Sequence, residues 1–451
     1  YTSENCEKIS AYIQTTLGCS DIETVKIYDS DKPRMHLYCD KLQHDPDSRL
    51  DTALNALVQP WQDQAVACFE KNGIQKSQAL DILDLLPADY QIRTRPAVAV
   101  DDYFILQALS SDDPVRIKLT RFIEPRSNHS NQVSQLLVYT KSKIRLYDMM
   151  PILSNLGLFV LDQMTTRLGP LGYIQSYRVM NQDKQPLDEP AYADVLSDTI
   201  HAIMTQKVRN DRLNQLVLAC DCTYYDVAIL RTYCQLYAQI QPLYATQIHQ
   251  TLITYPNCTF LLHQYFQAKF MTTKNLESLV TLETQFYDAI KPINSVDHDA
   301  IFRHLFALIQ HTSRTNAYIK DRPSGLAIAF KLRSRDISFM PKPVPWSEIF
   351  VQDAYLDGCH IRFGHVSRGG LRWSSRLTDF RTEVLGLVAA QTLKNVIIVP
   401  DGAKGGFVIH GDTSDQALVE REYQRFIAAL LDITDNQDES GACIHPMYSI
   451  I

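Results

Sequence analysis

The segment "RGGLRWSSRLTDFRTEVLGLVAAQTLKNVIIVPDGAKGGFVI", residues 368–409, joins two glycine-bearing stretches through an amphipathic run. Just before it, "CHIRFGHV" alternates as a β-strand. "SRGGLRWSS" reads as a glycine-bearing loop and "TDFRTEVLGLVAAQTLKN" as a helix. "VIIV" reads as a buried strand, "PDGAKGG" as a second loop, and "FVI" as a return to extended chain. Strand, helix and strand in succession predict an α/β domain for the C-terminal part of the chain.

The helix carries an unusual stripe. Phe380, Val384, Leu387, Gln391 and Lys394 fall at offsets 0, 4, 7, 11 and 14, and at about 100° per residue they share one narrow face. Three are apolar and the last two are not. Burying an ammonium without a partner costs several kcal/mol, so the stripe predicts an anion at its end. A core carboxylate, or a lysine reaching to water at the helix terminus, would satisfy Lys394 alone. Arg368, Arg372, Arg376, Arg381, Lys394 and Lys404 crowd the same short stretch, however, and Arg368 and Lys404 each adjoin a Gly-Gly pair. Glycine lets a ligand approach the backbone closely. The expectation is a cationic cradle for a carboxylate-bearing ligand.

Composition narrows the class. Of 451 residues, 45% are hydrophobic and 21% charged, and no apolar run reaches the roughly 18 residues of a membrane span. The net charge of -7 offers no electrostatic footprint for nucleic acid. The ten cysteines form no paired CxxC motif, which points to a reducing, cytoplasmic setting. His360 and His365 lie five apart and point to opposite faces if both are on a strand, so no metal site is expected there. The opening "YTSENCEKIS" and the apolar ending "HPMYSII" suggest a piece of a longer polypeptide.

The fold class expected is multidomain α+β and α/β. Residues 1–85 read as helix, two strands and a long helical stretch interrupted at Pro60. Residues 86–200 repeat a mixed pattern: strands in "VRIKLTRF" and "QLLVYT", a helix in "RLYDMMPILSNLG" despite Pro151, then the strand "LFVLDQM". Residues 201–320 are almost wholly helical, with Val227, Leu230, Cys234, Tyr237 and Ile240 at helical spacing and Ser295 as an N-cap. Residues 321–451 form the α/β part, where Thr413 and Gln416 read as a capping box for the helix "DQALVEREYQRFIAALLDI".

Residues 368–409 closely resemble the substrate-domain signature of glutamate dehydrogenases, and "RGGLRWS…DFRTEVLGL" resembles the large multidomain NAD-specific subfamily. The likeness extends to "PKPVPWSEIFV" and "DVAILRTYCQLYAQ", and the N-terminal modules resemble ACT-like domains. The resemblance implies two ACT-like α+β modules (1–85 and 86–200), a helical connector (201–320) and the first part of a substrate-binding catalytic domain (321–451) without its Rossmann partner. It assigns catalysis to Lys404 and the substrate α-carboxylate to Gln391 and Lys394. Arg368, with Gly369 beside it, takes the place where small hexameric relatives use a lysine to grip the side-chain carboxylate. A cation there implies an acidic substrate.

The implied reaction is NAD-dependent oxidative deamination of L-glutamate to 2-oxoglutarate and ammonia. Lys404 must then work as an unprotonated amine, and neighbouring cations together with small, drying residues favour that form. Cofactor residues and the catalytic aspartate would lie beyond Ile451, so this piece alone is not expected to turn over, and the full-length protein is expected to be a homo-oligomer. Two alternatives stay open: a regulatory or assembly module binding amino acids, and an enzyme binding a phosphate ligand through its two glycine segments. The second lacks the standard codes, since "DGAKGG" is not GxxxxGK[ST] and "SRGGLR" is not GxGxxG.

Overall fold

The computed structural model describes residues 3–18, 22–27, 34–39, 50, 54, 60–123, 132–187, 189–241, 243–271, 276–320, 325, 327–394 and 401–446. Its contacts divide the chain into two compact units. One is residues 1–130, 134–145 and 161–178; the other is 131–133, 146–160 and 179–451.

The first unit opens with α1 (Ser3–Leu17), which ends at Gly18 in the left-handed region, and the antiparallel pair β1 (Ile22–Ile27) and β2 (Arg34–Cys39). Ile9, Ile13 and Leu17 repeat at helical spacing and bury against Ile22 and Leu37. Pro60 stands where proline is tolerated, as the N-cap of α2 (Trp61–Lys71). Then come α3 (Lys76–Asp84), α4 (Ala88–Arg93) and α5 (Pro96–Ala108). A sheet ordered β3-β4-β6-β5 follows, from β3 (Val115–Ile123), β4 (Gln132–Thr140), β5 (Phe159–Leu168) and β6 (Gly172–Met180). Asp102 is buried in α5, where the hydroxyls of Tyr90 and Tyr139 donate to its two oxygens at 2.5 and 2.7 Å.

In the second unit, α6 (Leu146–Asn155) contains Pro151 and ends before Gly157. A helical stretch follows: α7 (Glu189–Met204), the one-turn α8 (Leu216–Ala219), α9 (Tyr224–Ile240), α10 (Ala245–Thr254), α11 (Pro256–Phe270), α12 (Leu276–Ile290) and α13 (Val296–Gln310). The Ser295 hydroxyl accepts from His298 N at the start of α13, as its N-cap position predicts. At the other end, buried Lys269 donates to the carbonyls of Ile309, Gln310 and Thr312. It thereby caps orphan carbonyls at the helix terminus.

A six-stranded sheet carries the rest, ordered β11-β12-β10-β9-β8-β7. Its strands are β7 (Thr312–Thr315), β8 (Ile328–Leu332), β9 (Ser347–Gln352), β10 (Leu356–Arg362), β11 (Ser367–Trp373) and β12 (Asp401–Ile409). The pairing is antiparallel except between β11 and β12, which run parallel. Period-2 alternation splits the side chains between two cores. Phe330, Phe350, Cys359, Ile361 and Val408 face the helices and α14 (Phe380–Lys394), whereas Ala329, Ile349, Val351, Phe407 and Ile409 pack with Leu418 and Phe426 of α15 (Gln416–Asp432).

Two expectations change here, and a third is not reached. Both supposed glycine loops are β-strands, β11 and β12, joined through α14 as a strand–helix–strand unit. Its glycines serve close packing: a Cβ on Gly369 would fall 1.3 Å from the Ala403 carbonyl oxygen, and one on Gly406 would fall 2.3 Å from Val384 Cγ2. Without side chains the strands and helix can approach, so extended backbone wins over the turn propensity of glycine. The cap of α15 is Asp415, whose carboxylate accepts from Ala417 N and Leu418 N, rather than Thr413; Asp412 is engaged with Ser414 in the preceding turn. The expected strand at "VIIV" lies outside the described residues.

Candidate functional site

The β11–α14–β12 unit brings the predicted site residues together. Its register sets Arg368 opposite Gly402, Gly369 opposite Ala403, Gly370 opposite Lys404 and Arg372 opposite Gly406. Partners in a parallel ladder share a face, and residues two apart on a strand do too. Two contacts identify the face. Gly406 abuts Val384 of α14, and the Arg372 guanidinium pairs with Glu383 of α14 at 3.1 Å. Arg368, Gly370 and Lys404 therefore all project on the α14 side. Strand spacing and rise put the Arg368 and Lys404 Cα atoms about 8 Å apart.

The helix stripe behaves as its spacing predicts. Phe380 and Val384 are buried, Leu387 and Gln391 half-buried. Burying side chains of this size contributes about 1.5–3 kcal/mol each, which anchors the first two turns and fixes the direction of the last. At that end the Gln391 amide donates to the Arg368 carbonyl at 3.0 Å, tying α14 to the edge strand. Its Oε1 is buried with no hydrogen-bond partner among the described residues. Lys394 closes the same helix; its side chain lies outside the described residues.

The cations of this stretch divide by what holds them. Arg381 is buried and bidentate on the equally buried Glu348, at 2.7 Å on each arm. Arg376 pairs with Asp379 on the surface, and Arg372 with Glu383, whose other oxygen accepts from the Ser374 hydroxyl at 2.6 Å. These three arginines are consumed by the fold. Among the described residues nothing pairs with the side-chain charge of Arg368 or Lys404. Arg368 is exposed and Lys404 half-buried. A Cβ added to Gly370, the ladder partner of Lys404, would touch nothing within 4 Å, so space beside the lysine is open.

Such an arrangement can do two things chemically. Two like charges without counterions on one face repel each other, and an anion bridging them relieves that repulsion. The open space beside Gly370 also gives such an anion room to reach the Lys404 amine. The Glu383–Ser374 link escaped sequence reading because its partners are nine positions apart across a turn, with no periodic signature. Gln239 of α9 escaped as well: its amide donates to the carbonyls of Leu377 and Thr378 at 3.4 and 2.9 Å and its Oε1 accepts from Arg381 N, which positions the start of α14. His360 and His365 do not form a pair. His360 lies on β10, and His365 beyond it packs in a tilted contact against Trp346 with ring centroids 4.1 Å apart.

Known proteins match along nearly the whole chain. Residues 285–450 match the family described as bacterial NAD-glutamate dehydrogenase, catalytic domain, and residues 208–272 match glutamate dehydrogenase, helical motif 3. An NAD-specific glutamate dehydrogenase of Pseudomonas aeruginosa is 33% identical over 99% of this chain and 29% of its own length. The corresponding proteins of Mycobacterium tuberculosis and Halomonas elongata are 31% and 32% identical, over 89% and 86% of this chain and 26% and 25% of their own lengths. The chain thus spans less than a third of these relatives. On these matches, together with the strand–helix–strand unit that carries Arg368, Gln391 and Lys404, the chain belongs to the family of bacterial NAD-specific glutamate dehydrogenases.

Proposed function

We propose that this chain supplies the substrate side of an NAD-dependent oxidative deamination of L-glutamate to 2-oxoglutarate and ammonia. The observation that carries the proposal is the pair of cations without ion-pair partners among the described residues, Arg368 and Lys404, on the α14 face of adjacent strands, while Arg372, Arg376 and Arg381 are each neutralised by a carboxylate. In this reading Arg368, next to Gly369, takes the side-chain carboxylate of the substrate. Gln391 and Lys394 at the end of α14 take the α-carboxylate. Lys404, as the free amine, removes the proton of the water that attacks the oxidised substrate.

The βαβ unit is no dinucleotide site of its own. Its first turn, residues 374–379, reads SSRLTD, without the glycines that let a pyrophosphate approach the backbone. NAD would be held elsewhere, and no step is assigned to it on these residues. Module limits near 85, 200 and 320 are part of the same proposal. The run α8–α13 supports the helical connector. A homo-oligomeric assembly in the cytoplasm completes it; no helix among the described residues is long and apolar enough to cross a membrane.

The test is Lys404→Met in a protein preparation active in glutamate oxidation. Loss of a general base lowers kcat by about 10²–10⁴-fold, and unfolding by denaturant should stay close to that of the parent because no partner of the amine is lost. Turnover at the parental rate would overturn the role given to Lys404.

A further inference from the structure

The hairpin after α15 is built from β13 (Asn436–Gln437) and β14 (Cys443–Ile444). Asn436 pairs with Ile444 and Gln437 with Cys443, so the next rung sets Asp435 against His445. Cys443 and His445 are two apart and lean to the same side. The His445 Nδ1 lies 2.7 Å from Asp435 Oδ1 and 3.8 Å from Cys443 Sγ, and one donor atom from each of the three lies within 4.8 Å of the others. All three residues are exposed.

The turn that carries them is tied internally. Asp438 Oδ1 accepts from Ser440 N at 2.9 Å, Ser440 Oγ at 2.6 Å and Ala442 N at 2.9 Å, and Gly441 takes the left-handed conformation the turn requires, at φ 83°. Asp435 is anchored from behind by Arg314, whose Nη2 lies 2.7 Å from Oδ1 and whose Nη1 donates to the Ile433 carbonyl. The donors therefore stand on a fixed frame, open to water on one side.

We propose that Asp435, Cys443 and His445 bind a divalent transition-metal ion with the ligand preferences of zinc, leaving a fourth position to water. Tetrahedral zinc with bonds of about 2.3 Å to sulfur and about 2.0–2.2 Å to nitrogen and oxygen needs ligand edges of roughly 3.3–3.7 Å. The sulfur–nitrogen edge, 3.8 Å, is close to that; the imidazole must draw back from Asp435 by roughly half an ångström, and the thiol and carboxylate, which lie within 4.8 Å, must close on the ion. Thiolate, imidazole and carboxylate together suit zinc or cobalt and not magnesium or calcium, which take oxygen. On binding, Cys443 releases its thiol proton to solvent and His445 presents a neutral ring, so affinity falls in acid. The Arg314 charge opposes the ion, so thiolate and imidazole carry most of the affinity. Neither His360 nor His365, the histidines weighed from sequence, takes part.

Titration of the reduced chain with Co²⁺, followed by displacement with Zn²⁺, tests the site. One equivalent should bind and give a near-ultraviolet thiolate-to-cobalt absorption that zinc removes. Cys443→Ser should abolish that band, and His445→Ala should weaken binding roughly tenfold or more, since even outer-sphere partners are worth that much. Absence of the band, or a band that survives in Cys443→Ser, would overturn the assignment.

Discussion

Arg381 and Arg368 illustrate how residue type alone misleads and environment decides. Both belong to the same basic stretch, yet Arg381 is 1% exposed and locked on Glu348, itself 0% exposed, while Arg368 stands in solvent on an edge strand. Removing one member of a buried pair strands the other charge, so Arg381→Met or Glu348→Gln should each cost about 3–5 kcal/mol in denaturant unfolding. Replacing both with apolar residues should recover much of the loss. Arg368→Leu should behave oppositely, with little effect on folding. In the proposed reaction it should lower kcat/KM for glutamate relative to norvaline by about 10- to 10²-fold, because a charged hydrogen bond to the substrate carboxylate is worth roughly 1.5–3 kcal/mol. An unchanged preference would remove Arg368 from the specificity site.

At the scale of elements, the strand–helix–strand unit depends on glycines for different reasons. Gly406 admits Val384, whose branched side chain is stiff in a helix, so an added methyl must push α14 off β12. Gly406→Ala should therefore destabilise by about 1–3 kcal/mol and loosen the Gln391 contact to Arg368. Gly386 lies inside α14 with nothing within 4 Å of an added Cβ. Gly386→Ala should stabilise by roughly 0.5–1 kcal/mol, because alanine loses less backbone freedom on folding. Thermal unfolding of the two variants side by side checks both signs. Equal destabilisation would mean that α14 is not seated on β12 as described.

Across the whole molecule, buried and half-buried titratable groups set the response to acid. Burial pushes His249 and His360 down to about 4; nearby Arg231 and Arg209 add to this at His249, against the pull of Asp211, and Arg362 and Lys331 add to it at His360. Between the unfolded value near 6.5 and about 4, the unfolded chain binds protons that the folded chain refuses, so stability falls as pH drops through that window. Asp357 acts lower. Burial alone would raise it, but Arg209, at 2.8 Å, and His410, at 2.7 Å, hold it below the usual carboxylate range. Its contribution is present above about 3.9 and is lost as pH falls through the depressed folded value. The thermal midpoint should therefore decline from pH 6.5 downward, and His249→Gln with His360→Gln should flatten the upper part of that decline.

By itself the sequence determined several helices, among them α9, α13 and α15, the helix stripe from Phe380 to Lys394 and the cation-rich glycine signature, because periodicity and local residue chemistry act over a few positions. The Gly-Gly segments were misread as loops for the same reason: a glycine's local freedom is visible in sequence, while the neighbouring strand that compels it to extend is not. Only the tertiary structure decided which cations are spent on Glu348, Glu383 and Asp379 and which have no ion-pair partner among the described residues. It also decided that Asp435 meets Cys443 and His445, since long-range pairing brings charges and donors together without leaving a periodic trace in the chain.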